Sequence, residues 1–204
     1  LNIFIRSVLL ELVFLSFFFW ASSFGTLILA VNQILIQFLH IFAYALDGFA
    51  FAGEVLVGIS YGKKNIAQLR KAVFLCFNWA AFTALILSGM FFIFGNSFTQ
   101  LMTNAEEVLE IAKKFKFWII LVPLSSFPAY IMDGIFFGST HTSEMRRAMI
   151  FSTVIYFILA IILTSIFQNN GLWATLNIFL IIRALSLFYY YPKIERSVSS
   201  VKNL

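Results

Sequence analysis

The chain contains 204 residues, of which 61% are hydrophobic and 11% are charged, with a formal net charge of +5 and a mean hydropathy of +0.94. A soluble domain has about 45–50% apolar and about 25% charged residues, so this chain has too few polar side chains to cover a water-soluble globule. The composition excludes a soluble enzyme, a nucleic-acid-binding module and a disulfide-stapled secreted domain. It also excludes intrinsic disorder, which requires low hydrophobicity. The single cysteine, Cys76, cannot form an internal disulfide or a zinc site.

Six apolar stretches are each long enough to cross a membrane, which takes about 20 mainly apolar residues. In chain order they cover roughly 3–23, 27–60, 67–95, 106–137, 146–167 and 172–191. Small and polar residues mark breaks between them at 22–25, 61–65, 95–97, 138–140 and 168–171. The sequence therefore predicts an all-α, polytopic membrane protein in which residues 1–204 form one six-helix bundle. Because the chain opens inside an apolar run, we also expect it to be a piece of a longer protein.

Basic residues are concentrated on one side of this predicted bundle. With six spans, both termini share a side with the second and fourth loops, and cytoplasmic loops collect Lys and Arg. That side would hold ten of the 14 basic residues, namely Arg6, Lys63, Lys64, Arg70, Lys71, Arg146, Arg147, Lys193, Arg196 and Lys202. We therefore expect the cell (inner) membrane, with both termini and the 61–71 and 138–147 loops in the cytoplasm and the 96–105 loop outside. The positive charge then reflects topology, and no nucleic-acid partner is expected.

Charged side chains inside the spans are costly, about 2.5–3.5 kcal/mol each on insertion scales, so they usually have a partner or a function. Five lie inside the predicted spans: Glu11, Asp47, Glu54, Asp133 and Arg183. Four acids against one base predict that some carboxylates are protonated, solvated in a cavity or paired with a cation. From depth along the helices we expect Arg183 to pair with Glu54, with Asp133 as the alternative and a guanidinium reaching the headgroups without an acid as a third possibility.

The second span has a polar stripe along one helical face. Residues recur at steps of four and three, which place them on the same side of a helix: Gln33, Gln37, His40, Tyr44, Asp47, Phe51 and Glu54. The stripe is about 31 Å long at 1.5 Å per residue, close to the thickness of the bilayer core. A polar stripe of this length cannot face lipid. It predicts either the wall of a cavity that handles ions or polar solutes, or a buried hydrogen-bonded seam.

A second polar cluster lies on the fourth span, where Ser125, Ser126, Tyr130 and Asp133 follow Pro123 and Pro128 closely. Proline removes a backbone donor and bends a helix, and irregular backbone at membrane depth is tolerated where it lines a cavity or is buried in protein. The cluster is therefore either a second part of the cavity or a bend used for packing. Two small-xxx-small patterns, at 58–62 and 134–138, are explained by close helix packing.

Four segments carry distinctive motifs: 29–33 (LAVNQ), 44–54 (YALDGFAFAGE) with Gly58, Tyr61 and Gly62 after it, 132–138 (MDGIFFG) with Met145 and Arg146 after it, and 171–173 (GLW). They resemble segments of the multidrug exporters of the MATE family, in their DinF-like branch. The first two resemble the eighth helix of that family, the third resembles the end of the tenth, and the fourth resembles the start of the twelfth. The resemblance covers about residues 2–191 and implies the second six-helix lobe of a twelve-helix transporter.

The resemblance implies a function in export. The family exchanges protons or sodium for cationic or amphipathic compounds, so the expected coupling ion is H⁺ or Na⁺ and no other cofactor is expected. The expected partners are the N-terminal lobe or a second copy of this chain, together with the lipid bilayer. In another branch of the family, second-lobe acids bind the cation, which implies roles for Asp133 and Glu11, and we also expect Asp47 to be a cavity acid.

Two alternatives to a multidrug antiporter stay open from the sequence. One is a lipid-linked oligosaccharide flippase of similar fold, which would need more Arg and Lys in the cavity than Arg183 alone. The other is a non-transporting membrane assembly subunit, which would need no polar stripe. No nucleophile–base arrangement, phosphate-binding loop or metal-ligand spacing occurs in the sequence, so an enzyme is not expected.

Overall fold

The computed structural model describes residues 1–199, which form five α-helices joined by short turns. The helices are α1 (Asn2–Ser23), α2 (Thr26–Gly62), α3 (Ile66–Met102), α4 (Glu106–Gly138) and α5 (Thr142–Ser199). Each of the five is long and apolar enough to cross a membrane. The predicted all-α architecture is confirmed, whereas the predicted count of six helices is not. Lys202, one of the basic residues assigned to the cytoplasmic side, lies outside the described residues.

The fifth helix contains the reason for the difference in count. With 58 residues, α5 would be about 87 Å long as a straight helix, almost three times the bilayer core. It is interrupted at Gln168, whose φ of 51° and ψ of −128° are non-helical. The predicted break at 168–171 is therefore present, as a kink between the two helical segments 142–167 and 169–199.

The two segments of α5 fold back on each other. Lys193 Nζ lies 3.5 Å from Glu144 Oε1, so residues near the two ends of α5 are neighbours. Next to the kink, a Cβ on Gly171 would overlap the carbonyl oxygen of Leu163, which makes glycine necessary where the segments diverge. We call this arrangement the α5 hairpin.

The turns after α2 and α4 form where the sequence predicted them. Each helix is followed by a residue with left-handed backbone, Lys64 with φ of 54° and Thr140 with φ of 62°. This is a common way to end a helix because it lets the following amides bond to the last free carbonyls. Asn65 then caps α3 by accepting a hydrogen bond of 3.0 Å from the amide of Gln68.

The predicted break at 95–97 is wrong, because α3 continues to Met102. Gly95 is buried and serves close packing instead of a turn, since a Cβ there would lie 2.9 Å from the side chain of Lys116 on α4. Thr99 also continues the helix, with its hydroxyl donating to the carbonyl of Gly95 at 2.8 Å. The turn comes later, at residues 103–105, where the hydroxyl of Thr103 accepts from the amide of Ala105.

Helix α4 lies at the centre of the fold and packs against α2, α3 and α5. Its backbone approaches α2 very closely, because a Cβ on Gly134 would overlap the carbonyl oxygen of Ala50 and a Cβ on Gly138 would overlap that of Glu54. The small residues at 134–138 thus allow close helix packing, as predicted. Gly62, in the other small-xxx-small pattern, has open space around its Cα.

Two hydrophobic clusters fill the interior at opposite ends of the helices. The cluster around the turn of the α5 hairpin includes the buried aromatic residues Phe17, Phe91, Tyr156, Trp173 and Phe179. The cluster around the other end includes Leu46, Leu69, Ile131, Met132, Phe136 and Leu187. At the level of the second cluster, side chains from four helices surround a charged cavity.

Candidate functional site

A cavity of about 390 Å³ lies among α1, α2, α4 and α5. Its polar and charged lining consists of Arg6, Asp47, Glu54, Tyr130, Asp133 and Arg183. The rest of the lining is apolar or glycine: Leu10, Ala50, Phe51, Gly134 and Phe137. The cavity brings together three carboxyl groups and two guanidinium groups from helices that are far apart in the sequence.

Asp133 is held by both arginines of the cavity. Arg6 on α1 and Arg183 on α5 each donate an Nη2 hydrogen bond to Asp133 Oδ2. The side chains of Asp133 and Arg183 are only 8% and 3% exposed, so the pair is almost completely removed from solvent. Asp133 on the central helix therefore ties α1, α4 and α5 together, and two positive charges surround one negative charge.

The predicted pairing of Arg183 with Glu54 is wrong, and the alternative partner, Asp133, is confirmed. Equal depth along the helices suggested Glu54, but depth says nothing about lateral neighbours. Helix α4 lies between α2 and α5, so an acid on α4 meets Arg183 before an acid on α2 does. Glu54 still lines the same cavity.

Arg6 is the residue that sequence reasoning missed. We assigned it to the cytoplasmic loops, but it lies inside α1, and its side chain is 14% exposed. Its guanidinium carbon also lies 5.4 Å from the ring centroid of Phe137, within the range of a cation–π contact. The imbalance of four acids against one base pointed to a missing cation, and Arg6 was the nearest available candidate in the first span.

Asp47 and Glu54 on α2 also line the cavity, but unlike Asp133 they do not pair with an arginine in the described part of the chain. Within residues 1–199, neither carboxylate has a Lys, Arg or His nitrogen within 4.0 Å. Tyr130 on α4 lies beside them in the lining and carries a phenolic hydroxyl. These acids can accept a proton or bind a cation without first displacing an arginine.

The polar stripe of α2 is not a seam buried within the described part of the chain. Gln33, Gln37 and Tyr44 are exposed, and the exposed fractions of Tyr44 and Phe51 are 74% and 65%. His40 is half-buried, and its ring centroid lies 5.8 Å from that of Phe14 on α1. The stripe therefore lies on a face of α2 that the other helices leave open, and it leads into the cavity at Asp47 and Glu54.

Two other predicted polar sites are separate from the cavity. Glu11 is exposed on α1 and does not line the cavity with Asp133. Ser125 is buried and donates a hydrogen bond of 2.8 Å to Asn177 Oδ1, joining α4 to α5. The described residues contain no cluster of three or more His, Cys, Asp or Glu side chains suited to a metal ion.

A buried amide network that was not predicted lies at the turn of the α5 hairpin. Asn32 on α2 and Asn169 exchange two side-chain hydrogen bonds, of 2.7 and 3.1 Å. The indole of Trp173 donates a third, of 2.9 Å, to Asn32 Oδ1. Asn32 and Asn169 are 0% and 3% exposed, so this network attaches the non-helical kink of α5 to α2.

Comparison with known proteins places this architecture in a family. The MatE family model matches residues 3–166. The DNA damage-inducible protein F of Escherichia coli (strain K12) is 32% identical over 186 residues, which is 91% of this chain and 40% of that protein. The chain thus spans about 40% of the length of that relative.

Two solved structures share the fold. One is the eukaryotic MATE transporter AtDTX14, with a TM-score of 0.78 and 16% identity over 86% of this chain and 40% of the transporter. The other is the outward-facing conformation of a multidrug resistance MATE family transporter of the MOP superfamily, with a TM-score of 0.80 and 14% identity over 93% of this chain and 43% of the transporter.

Proteins of this family are transporters, which agrees with the prediction that the chain is not an enzyme. The resemblance to the DinF-like branch, inferred from the motifs of α2 and α4, is confirmed by the similarity to the Escherichia coli protein. The chain belongs to the MATE family of multi-pass membrane transporters.

Proposed function

We propose that this chain forms the C-terminal lobe of an efflux antiporter that exports cationic or amphipathic compounds in exchange for protons or sodium ions. Its partner is an N-terminal lobe, or a second copy of the chain, placed against the polar stripe of α2. The single observation that carries the proposal is the exposure of that stripe. Gln33, Gln37 and Tyr44 are open on a helix that crosses the membrane, and such a surface needs water or protein in front of it.

The charges of the cavity favour cationic substrates over anionic ones. A lipid-linked oligosaccharide flippase would need free basic groups for the phosphate of its substrate. The cavity does contain a second arginine that the sequence reading missed, but Arg6 and Arg183 both bind Asp133. Asp47 and Glu54 stay without such partners among the described residues, so the part of the cavity open to a ligand is acidic.

The same contacts support a proposed coupling role for Asp47 and Glu54. A cation that binds Asp133 would have to compete with two guanidinium groups, which makes Asp133 a positioning residue in this proposal. Protonation of Asp47 or Glu54 removes a negative charge and weakens the binding of a cationic compound, and loss of the proton restores it. Sodium could replace the proton in this competition. A ligand shifts a conformational equilibrium only through different affinity for the two states, which this competition supplies.

The proposed topology has six spans, with both segments of the α5 hairpin crossing the membrane. The contact between Glu144 and Lys193 supports this count, because it returns the chain to the side on which α5 begins. Both termini, the turn after α2 and the turn after α4 then face the cytoplasm of a cell (inner) membrane. The turns at 103–105 and 168–171 face outward.

Transport assays on the intact transporter that contains this chain test the function. The variants are Asp47→Asn and Glu54→Gln, which keep the side-chain shape and remove the charge. Uptake of a fluorescent organic cation from the medium into everted vesicles, under an imposed proton or sodium gradient, reports exchange. We expect each variant to insert normally and to lose at least part of the ion-dependent export.

Glu107→Gln is the matched control, because Glu107 is an exposed acid at the start of α4, away from the cavity. It should transport as the unmodified protein does. Ion-dependent export that is unchanged in both cavity variants would contradict the coupling role of these acids. Transport of a lipid-linked oligosaccharide would instead support a flippase. Transport of no solute under any gradient would support a non-transporting assembly subunit.

A further inference from the structure

A second cavity lies on the outer surface of the α5 hairpin and is separate from the charged cavity. It has a volume of about 550 Å³ and runs between the two antiparallel segments of α5. One wall contains Arg147, Ala148, Phe151 and Ile155, and the other contains Ile182, Leu185, Ser186, Tyr189 and Tyr190. We call it the hairpin groove. Because the groove lies on the proposed membrane-spanning segments, the molecules that can reach it are those of the membrane.

The hairpin groove lies on α5, whereas the polar stripe proposed to meet the partner lobe lies on an open face of α2. Phe151, Leu185 and Tyr189 in the groove are 57%, 61% and 80% exposed. This surface is mainly apolar and so can face lipid, whereas the exposed face of α2 carries polar groups that lipid cannot satisfy.

The groove has one polar end and one apolar end. Arg147 is at one end, opposite Tyr189 and Tyr190, and Ile155 and Ile182 are at the other. The eight-residue step from Arg147 to Ile155 corresponds to about 12 Å of helix, close to half of a bilayer core of about 30 Å. Tyrosines at one end are typical of the level of the lipid headgroups. The groove therefore has the dimensions of one acyl chain within one leaflet.

Arg147 is the cation available at the polar end. It is exposed and, among residues 1–199, has no Asp or Glu oxygen within 4.0 Å. Lys193 lies over the ring of Tyr190 at 5.1 Å, but it pairs with Glu144 at 3.5 Å. The nearby acid is thus already neutralised by a lysine, and the charge of Arg147 is free to bind an anion.

We propose that the hairpin groove binds an anionic phospholipid, with its phosphate on Arg147 and an acyl chain between the two segments of α5. Basic pockets between membrane-spanning helices bind anionic headgroups in this way. The occupied groove stabilises the α5 hairpin from the outside. This inference depends on the membrane-spanning fold and is independent of the proposed transport activity.

Native mass spectrometry of the intact transporter tests the site, with phosphatidylglycerol and phosphatidylcholine as the two probes. We expect phosphatidylglycerol to be retained preferentially and to raise the melting temperature. Arg147→Gln should weaken phosphatidylglycerol retention about fivefold, the effect of one basic residue near an anionic surface. Lys71→Gln removes the same charge from exposed α3 and should leave retention unchanged.

A second pair of variants tests the apolar part of the groove without changing charge. Leu185→Trp should fill the groove and reduce phosphatidylglycerol retention. Leu85→Trp, at a position on α3 with a similar exposed fraction of 60%, should not. Equal retention of the two lipids, or equal effects of Arg147→Gln and Lys71→Gln, would overturn the proposal. A disulfide-linked dimer of the Leu185→Cys variant would also overturn it, because a second copy of the chain would then cover the groove.

Discussion

Arg183 on α5 donates a hydrogen bond to Asp133 on α4, and both side chains are more than nine-tenths buried. Arg6 on α1 binds the same carboxylate oxygen. A buried ion pair is weak as a source of stability, but removal of one partner is costly because an unpaired charge stays behind. Here the cost depends on which residue is removed, because Asp133 is the partner of both Arg6 and Arg183.

The first prediction is that Asp133→Asn destabilises the fold more than the loss of either arginine. The asparagine leaves two buried guanidinium groups without an acid, for which about 3–5 kcal/mol is the expected scale. Arg183→Met or Arg6→Gln leaves one arginine with one aspartate, a balanced pair. Thermal unfolding of the detergent-purified transporter, followed by size-exclusion chromatography, should rank Asp133→Asn as the least stable. The family resemblance implied that Asp133 binds the coupling cation, whereas its two arginine contacts predict that it stabilises the fold.

Two combinations identify the partner of Arg183. Adding Glu54→Gln to Arg183→Met should restore nothing, because Glu54 does not pair with Arg183. Combining Asp133→Asn with Arg6→Gln and Arg183→Met removes every member of the network and should recover part of the lost stability. A melting temperature of Asp133→Asn equal to that of the unmodified protein would exclude the network as a source of stability.

The second prediction concerns the glycines that bring α4 against α2. Gly134→Ala or Gly138→Ala should separate the two helices, since each new Cβ would overlap a carbonyl oxygen of α2. Overpacking of this kind costs about 1–3 kcal/mol or more. Gly48→Ala is the control, because Gly48 has open space around it and alanine favours a helix by about 0.5–1 kcal/mol. Equal yields of folded protein for Gly48→Ala and Gly134→Ala would contradict the close contact.

The third prediction concerns the amide network at the kink of α5. Asn32→Ala removes the partner of both Asn169 and Trp173, and a buried polar group without a partner costs about 1–3 kcal/mol. Asn169→Ala leaves Asn32 bonded to Trp173 and should cost less. Asn170→Ala, at an exposed position with a single bond of 3.0 Å from Trp118, should cost least. Unfolding midpoints of the three variants in one detergent measure this order.

Composition and apolar length were enough to predict the helical class and most of the helix boundaries, whereas the family was identified only by the resemblance of the motifs at 29–33, 44–54, 132–138 and 171–173. Composition and apolar length were not enough to place the end of α3, because Gly95 is at a turn-like position in the sequence but serves packing against Lys116. Glycine occurs both in turns and at close helix contacts, and only the neighbouring helix in the folded structure distinguishes the two. The kink at Gln168 was predicted as a loop, and its polar neighbours Asn169 and Asn170 form hydrogen bonds across helices instead.

The sequence identified most of the charged residues that line the candidate site, but not the ion pairs between them. Helical spacing identified the acids Asp47, Glu54 and Asp133, and all three line one cavity. Spacing along one helix cannot say which neighbouring helix faces it, so the partner of Arg183 was assigned by depth and was wrong. Arg6 was missed for a related reason, since a basic residue near a helix end fits both a loop and a buried pair.

The last prediction concerns topology and the number of spans. In a Cys76→Ser background, single cysteines at positions 63, 104 and 170 report which turns are open to an impermeant thiol reagent in intact cells. We expect Asn104→Cys and Asn170→Cys to react from outside, and Lys63→Cys to react only after the membrane is permeabilised. Labelling at position 170 carries the most information, because it requires both segments of α5 to cross the membrane. The kinked α5 would then supply two of the six spans. If position 104 is labelled in intact cells but position 170 is protected, the turn of the α5 hairpin does not reach the outer surface. That result would contradict the proposed six spans. Labelling of position 63 in intact cells would invert the topology.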